Sequence, residues 1–275
     1  MSEPNNNQEE LVGSEAESRI KILSRRGFIF GAIAIAGGYE VLRWIDFGPQ
    51  KAGISAQLRK VLDINQRVAL SLFNEGSTAK LYPVSEAVMP IVNGTVGIDT
   101  PIDQTSWKLN LQDKPSADRI LSLSQVKALP RTDITTELRC VEGWTTVVHW
   151  TGCKLSEFIK RYPPRPRNGN PLDFTDFSTM PKYIGFETPP PGFLAGESQS
   201  YYVGIDMKSA MHHQTLLCYA MNGNALSPPH GAPLRLVIPT KYGFKSLKRI
   251  GRIFYSDTMP RDFWAENGYD WYAGL

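Results

Sequence analysis

The sequence predicts a single α+β domain, rich in short strands and poor in long helices, and three observations carry that prediction. Runs of β-branched and aromatic residues recur along the chain, at 106–111, 135–150, 182–186, 216–221, 234–239 and 250–255. The helical patterns between them are short, at 121–129, 154–162 and 204–213. Long connections at 74–100, 165–181 and 188–196 are punctuated by proline and glycine, which break both periods.

The 275 residues suffice for one large domain or two small ones, and 41% hydrophobic content is that of a globular protein. A net charge of +3 is too small to imply nucleic-acid binding. The 3 cysteines contain no C-x-x-C pair, so neither a disulfide framework nor a zinc site follows. Cys153 and Cys218 could pair in an oxidising compartment, but buried and unpaired is the expectation.

Residues 1–23 are polar, with acidic and asparagine runs, and are expected to be disordered. Residues 24–47 read as a twin-arginine signal or an N-terminal anchor. Ser24-Arg25-Arg26-Gly27-Phe28-Ile29 precedes the apolar run 30–38, as in an export signal. No clean small-x-small cleavage site follows, and Glu40, Arg43 and Asp46 interrupt what a span of about 20 apolar residues would need. The domain is then expected over 51–275.

Residues 51–73 read as a helix, with Leu58, Val61, Leu62, Val68 and Leu72 at mixed helical spacing. The stretch 74–100 is an ordered loop and 106–111 a strand. Helix 121–129 has Ser122 or Ser124 as its cap and Pro130 as its stop. Residues 135–150 form strand, bend, then strand or helix start, and helix 154–162 ends at Pro163-Pro164. Strand 182–186, helix 204–213 and strand 216–221 follow, the last closed by an Asn222-Gly223 hairpin turn. A buried strand at 234–239 leads into the lysine-rich loop 241–248 and a final strand at 250–255. Trp264, Tyr269, Trp271 and Tyr272 should pack back on the body.

Two features point to chemistry. The first is Cys140, in Arg139-Cys140-Val141-Glu142-Gly143-Trp144. Gly143 lets the backbone bend there, and a thiolate at such a bend suits a soft redox metal. Taken alone, Cys140 could equally be a buried structural cysteine. Glu142 could be a hydrogen-bond partner or proton relay, or one half of a salt bridge. The second feature is a basic run, Arg235, Lys241, Lys245, Lys248, Arg249 and Arg252, around a glycine-bearing loop, which suits a phosphate. A solvated basic face is the alternative, but interleaving with Tyr242, Phe244, Leu247 and Ile250 favours a pocket. His149 could face either the site or the core. His212 and His213, adjacent at a helix end, make a poor metal pair. There is no Ser-His-Asp arrangement and no glycine-rich nucleotide loop.

The motifs Arg139 to Trp144, Gly231-Ala232-Pro233-Leu234-Arg235-Leu236 and Lys241-Tyr242-Gly243-Phe244-Lys245 together resemble the sulfite oxidase family of molybdopterin oxidoreductases. The resemblance spans roughly Trp107 to Trp264 and is closest to the branch of periplasmic protein-methionine-sulfoxide reductase catalytic subunits. It implies a strand-rich sulfite-oxidase-type fold and one molybdenum-molybdopterin per chain, with Cys140 as the protein's metal ligand. Trp144 and Trp150 would desolvate the centre. Arg235, Ser246, Leu247 and Lys248 would hold the pterin phosphate. Thr188 would touch the cofactor, His230 stands where the branch has asparagine, and Asn93 takes the place of the family's cofactor-loop asparagine, although Gly94-Thr95-Val96 departs from the pattern.

The activity implied is oxygen-atom transfer in the periplasm, since twin-arginine signals serve proteins exported already folded. No arginine cluster follows Cys140, so reduction of a neutral S-oxide or N-oxide, free or protein-bound, is expected rather than oxidation of sulfite. Glu142 and Trp144 would act beside Cys140, and electrons would come from a membrane haem or quinol partner. The chain is expected to be a monomer because it lacks the immunoglobulin-like dimerisation domain of sulfite oxidases. The alternatives are an oxidase of sulfite or another small substrate, or a tethered binding domain with Cys140 merely buried.

Overall fold

The computed structural model describes residues 50–51, 54–72, 77–99, 101–114, 117–167, 169, 171–189 and 200–275. The readings of 1–23, of 24–47 and of the loop beyond residue 189 lie outside the described residues. No described helix is long and apolar enough to cross a membrane.

The chain divides into two compact units at Val61/Leu62. In the first, strands β1 (Gln50–Lys51) and β2 (Ile54–Ser55) pair antiparallel, where the start of a helix was expected. Helix α1 (Ala56–Leu72) begins there and runs on into the second unit.

The second unit holds two 5-stranded sheets. One is ordered β4 (Ala117–Leu121), β3 (Leu109–Lys114), β12 (Arg252–Ser256), β7 (Tyr183–Glu187), β8 (Tyr202–Asp206), with β12 parallel to β3 and the other neighbouring pairs antiparallel. The other is ordered β10 (Asn224–Ala225), β9 (Leu216–Met221), β6 (Thr145–Lys154), β5 (Arg131–Arg139), and β11 (Arg235–Val237) also pairs with β9. The short helices are α2 (Leu123–Lys127), α3 (Leu155–Arg161), α4 (Met207–Met211) and α5 (Phe263–Glu266).

Both sheets contribute to one core. Leu109, Phe186 and Ile253 from the first meet Leu217 and Leu236 from the second, with Phe158 of α3. A smaller cluster gathers Val148, Trp150, Cys218 and Val237, so β9 and β11 send alternate residues to opposite faces, the period-two signature of a strand.

The local signals account for most boundaries. Ser122 caps α2 in a reciprocal capping box with Gln125, and Asp206 caps α4 by accepting from the Ser209 amide. Asn222 and Gly223 both take positive φ, 50° and 80°, the geometry of a type I′ hairpin.

Three further expectations are corrected. The strand expected at 106–111 begins at Leu109, because Trp107 turns inward and donates its indole N–H to the Ile250 carbonyl at 3.0 Å. Leu121 ends strand β4 instead of opening a helix; the charged pair Asp118-Arg119 hides its alternation. Residues 204–206 belong to strand β8, and only α4 is helical in 204–213. Gly204 is needed there for a close approach, since a Cβ would lie 2.9 Å from Trp271 and 3.0 Å from Pro260.

Candidate active site

The tip of the β5–β6 hairpin presents the cysteine. After the last ladder pair, Arg139 with Thr145, the chain closes through Gly143 N–H donating to the Cys140 carbonyl at 3.1 Å and Cys140 N–H donating to the Trp144 carbonyl at 2.9 Å. Gly143 sits at φ 91° with open space around it, so backbone conformation and not crowding demands glycine. Cys140 is a free, half-buried thiol. Asn93 Nδ2 donates to Cys140 Sγ at 3.6 Å and to Glu142 Oε2 at 3.1 Å, and Trp144 Nε1 donates to the same oxygen at 3.2 Å. Glu142 therefore accepts from two neighbours and orients the amide that reaches the sulfur.

Cys140 lies on the wall of a cavity that opens to solvent. The same wall carries His230, Arg235, Ser246 and Lys248. Arg235 is buried on β11. It donates to the carbonyls of His230 and Ser246, both at 3.1 Å, and lies 4.9 Å over the Trp150 ring. Its Nε is buried without a partner. Burial brings the Arg235 guanidinium down only to about 10, so it stays charged at neutral pH. Lys248 donates to the carbonyls of Asn93, at 2.5 Å, and Gly94, at 3.2 Å. Burial, then the Arg235 charge, pulls Lys248 down to about 8. The same causes, in order burial, Arg235 and Lys248, lower His230, so its ring is a neutral donor and acceptor. Among the described residues no carboxylate pairs with Arg235 or Lys248. The pair makes a receptor suited to an anion, and the described residues supply none.

The remaining wall is apolar, with Ile91, Val96, Leu138 and Val141 beside an aromatic group: Tyr201 and Phe244, joined by the Tyr201 hydroxyl donating to the Phe244 carbonyl at 2.5 Å, and Trp264 and Tyr269 from the C-terminal segment. Reading the sequence identified Trp264 and Tyr269 as a packing cluster but not as cavity wall. It missed Tyr201 altogether, whose neighbours at the site are distant in sequence.

Cys140, Glu142, Trp144, Asn93, His230, Arg235, Ser246 and Lys248 all line this one cavity. Thr188 and Leu247 are not on the wall. Thr188 is buried, its Oγ1 accepting from the Tyr201 amide at 3.0 Å, and Leu247 is wholly buried in the main core. Trp150 lies behind Arg235, away from the cavity. The basic run does not form one pocket. A 3-10 turn at Gly243–Lys245 directs Lys245 into the body, where its Nζ lies 2.6 Å from Asp262, and Lys241 Nζ lies 3.7 Å from Asp206. Arg252 pairs with Glu187 on the sheet at 3.0 Å, and Arg249 is buried off the wall. His149 also stands off the wall, its Nδ1 2.9 Å from Thr135 Oγ1. His212 is buried, with Nε2 3.0 Å from the Ser77 carbonyl. Cys153 and Cys218 are free and buried; burial pushes Cys153 up to about 12 and Cys218 also upward.

The residues present fit the group that the motif resemblance implied. A half-buried thiol suits a soft metal, the orphaned Arg235 Nε with Lys248 suits a phosphate, and aromatic side chains suit the rim of a flat heterocycle.

Residues 96–264 match the family described as oxidoreductase molybdopterin binding domain. A putative protein-methionine-sulfoxide reductase subunit YedZ1 of Azospira oryzae is 29% identical over 258 residues, covering 93% of this chain and 89% of the relative. The protein-methionine-sulfoxide reductase catalytic subunit MsrP of Campylobacter jejuni is 33% identical over 173 residues, covering 62% of this chain and 57% of the relative. The chain therefore spans little more than half the length of that MsrP relative. Among solved structures, the sulfane dehydrogenase SoxCD of Paracoccus pantotrophus aligns over 58% of this chain and 40% of its own, with TM-score 0.45 and 18% identity, a likeness too partial to weigh. The family match takes in more than half of the chain, cysteine hairpin, anion receptor and most of the aromatic wall included, and the protein belongs to the oxidoreductase molybdopterin-binding domain family, of sulfite oxidase type.

Proposed function

We propose that this oxidoreductase reduces a neutral S-oxide or N-oxide, with a methyl sulfoxide such as that of methionine as the main substrate, using molybdenum held by one pyranopterin and Cys140. The observation that carries the proposal is that the Cys140 thiol and the Arg235–Lys248 receptor share one cavity, with the Glu142 carboxylate beside the thiol. When bound, the metal–pterin group supplies two-electron oxygen-atom transfer.

The protein's own groups do the rest. Cys140 would hold the metal through its thiolate, with the Asn93 amide fixing the sulfur. Arg235, Lys248 and Ser246 would hold the phosphate, and neutral His230 can donate to or accept from the pterin edge. The direction follows from charge. A dianion such as sulfite would meet Glu142 near the thiol, and both cations on the wall would be taken up by the cofactor's phosphate. A neutral oxide carries no such penalty, and aromatic walls receive methyl and thioether groups well.

The names of the relatives, a putative protein-methionine-sulfoxide reductase subunit for YedZ1 and a protein-methionine-sulfoxide reductase catalytic subunit for MsrP, support the same substrate class. Export to the periplasm by the twin-arginine route, with the segment kept or removed, belongs to this reading and rests on Ser24 to Gly38. So does reduction by a membrane haem or quinol donor, which the word subunit in the YedZ1 name supports.

The test is a paired assay on purified holoenzyme: reduction of methionine sulfoxide with a reduced dye, and oxidation of sulfite with an oxidised acceptor. Sulfoxide reduction that vanishes in Cys140→Ser is the expected result. Sulfite oxidation outrunning sulfoxide reduction would overturn the direction.

A further inference from the structure

Lys245 takes no part in the anion receptor, yet it is wholly buried. Its Nζ lies 2.6 Å from Asp262 Oδ2 and donates to the Gly204 carbonyl at 3.0 Å. The side chains of the pair are 0% and 1% exposed, and Trp271 faces the ammonium at 4.6 Å. Burial lowers Lys245, and the Asp262 charge opposes that shift. Asp262 has further work. Its Oδ1 accepts from the Ala265 amide at 3.1 Å and so caps α5, while its Oδ2 also accepts from the Gly204 amide at 3.3 Å.

This pair fastens together walls of the cavity that are far apart in sequence. Lys245 follows Phe244, which lines the cavity and whose carbonyl holds the Tyr201 hydroxyl. Asp262 opens α5, which carries Trp264 into the wall, and the Tyr269 amide donates back to the Trp264 carbonyl at 2.9 Å. The rings close the circuit: Trp264 meets Tyr269 edge-on with centroids 5.1 Å apart, and Tyr269 meets Phe244 at 5.4 Å. On its other side α5 is held by Phe263, whose ring meets those of Tyr201 and Tyr202 at 5.3 and 5.9 Å, and by Glu266, which accepts from the Tyr202 hydroxyl at 2.5 Å; the exposed Arg261–Glu266 pair, at 2.6 Å, is of the kind that contributes little.

We propose that Lys245 is a positioning residue: acting through Asp262 it holds the Phe244–Trp264–Tyr269 wall in place, and that wall selects substrates large enough to lie against it. The selection half rests on the reductase reading above; the fastening half does not.

Two variants test it on the full-length holoenzyme. Asp262→Asn keeps a side chain able to cap α5 while removing the charge. The double swap Lys245→Met with Asp262→Leu replaces a buried pair with apolar groups, a change that commonly preserves stability. Hydrogen exchange is read by mass spectrometry, and steady-state kinetics compare methyl phenyl sulfoxide, which would reach the wall, with dimethyl sulfoxide, which would not. In both variants the amides of 263–269 should exchange about tenfold faster, while β9 and β12 keep their protection. KM for methyl phenyl sulfoxide should rise about tenfold, with kcat for dimethyl sulfoxide within about twofold of the parent. Unchanged exchange at 263–269 in a double variant that melts like the parent overturns the fastening. Normal KM values for both substrates, or equal losses for both, overturn the selection. A parent protein that reduces neither sulfoxide sinks the reductase reading and with it the selection, and exchange still decides the fastening.

Discussion

Four cations that follow one another closely along the chain divide into two pairs by what answers their charge. Lys241 and Lys245 are buried against carboxylates, Asp206 and Asp262, beneath the C-terminal segment. Among the described residues, Arg235, buried, and Lys248, half-buried, have only backbone carbonyls and, for Arg235, a tryptophan face. Burying a charge is costly unless a counter-charge or a ligand compensates it. The first pair is compensated within the chain and is architecture. The second is not, it opens on a cavity, and it is where an anionic ligand belongs.

The contrast can be broken or sharpened by substitution. The largest effect should come from Lys245→Ala, which strands a buried Asp262 carboxylate; removing one partner of such a pair costs about 3–5 kcal/mol, read by urea unfolding. Arg235→Met should cost less, about 1–3 kcal/mol for the carbonyls it leaves unpaired. It should nonetheless weaken pyrophosphate binding to cofactor-free protein about 10- to 100-fold by calorimetry, the worth of a charge-assisted hydrogen bond. Equal stability losses in the two variants would erase the distinction between the pairs.

A pH series sharpens it further. Burial and Arg235 put folded Lys248 at about 8, below the ordinary lysine value. The unfolded chain then binds more protons above pH 8, so the contribution of this group to stability without ligand rises with pH from there. A bound anion favours the charged ammonium and opposes that shift. Stabilisation by pyrophosphate, measured as a change in Tm, should therefore be full below pH 8 and fade as pH rises through it. An increase in that range would contradict the assignment of Lys248 to the receptor. The smallest effect is expected from Gly143→Ala. At φ 91° with open space around it, the cost is the left-handed backbone alone, about 1 kcal/mol. A loss of several kcal/mol would mean that the hairpin tip carries more than its turn.

The same contrast explains what could be read from the sequence. The Cys140 hairpin was legible because its signals are local: β-prone residues on both sides and a glycine where the turn needs positive φ. Strand β9 and its Asn222-Gly223 turn were legible for the same reason. The division of the basic run was not, because a lysine displays its charge in the sequence but not its partner, and Asp206 and Asp262 lie at other places along the chain. Strand β8 was hidden by Gly204, whose missing side chain serves contacts with Trp271 and Pro260. Thr188 and Leu247 sit next to the site in sequence motif but behind it in space, Thr188 behind Tyr201 and Leu247 in the core. Tyr201 carried no signal, since its role comes from the Phe244 carbonyl that it meets in the folded chain.

The central claim is that the Cys140 thiol and the Arg235–Lys248 receptor serve one and the same bound group. The most direct measurement is molybdenum and phosphorus content per chain, on protein purified from a host that makes the cofactor, for the parent, Cys140→Ser and Arg235→Met. The account predicts equimolar molybdenum and pterin phosphate in the parent. It predicts molybdenum lost or altered in its electronic spectrum in Cys140→Ser, and both elements reduced together in Arg235→Met. A folded parent without molybdenum, or an Arg235→Met protein with full content of both, would contradict it.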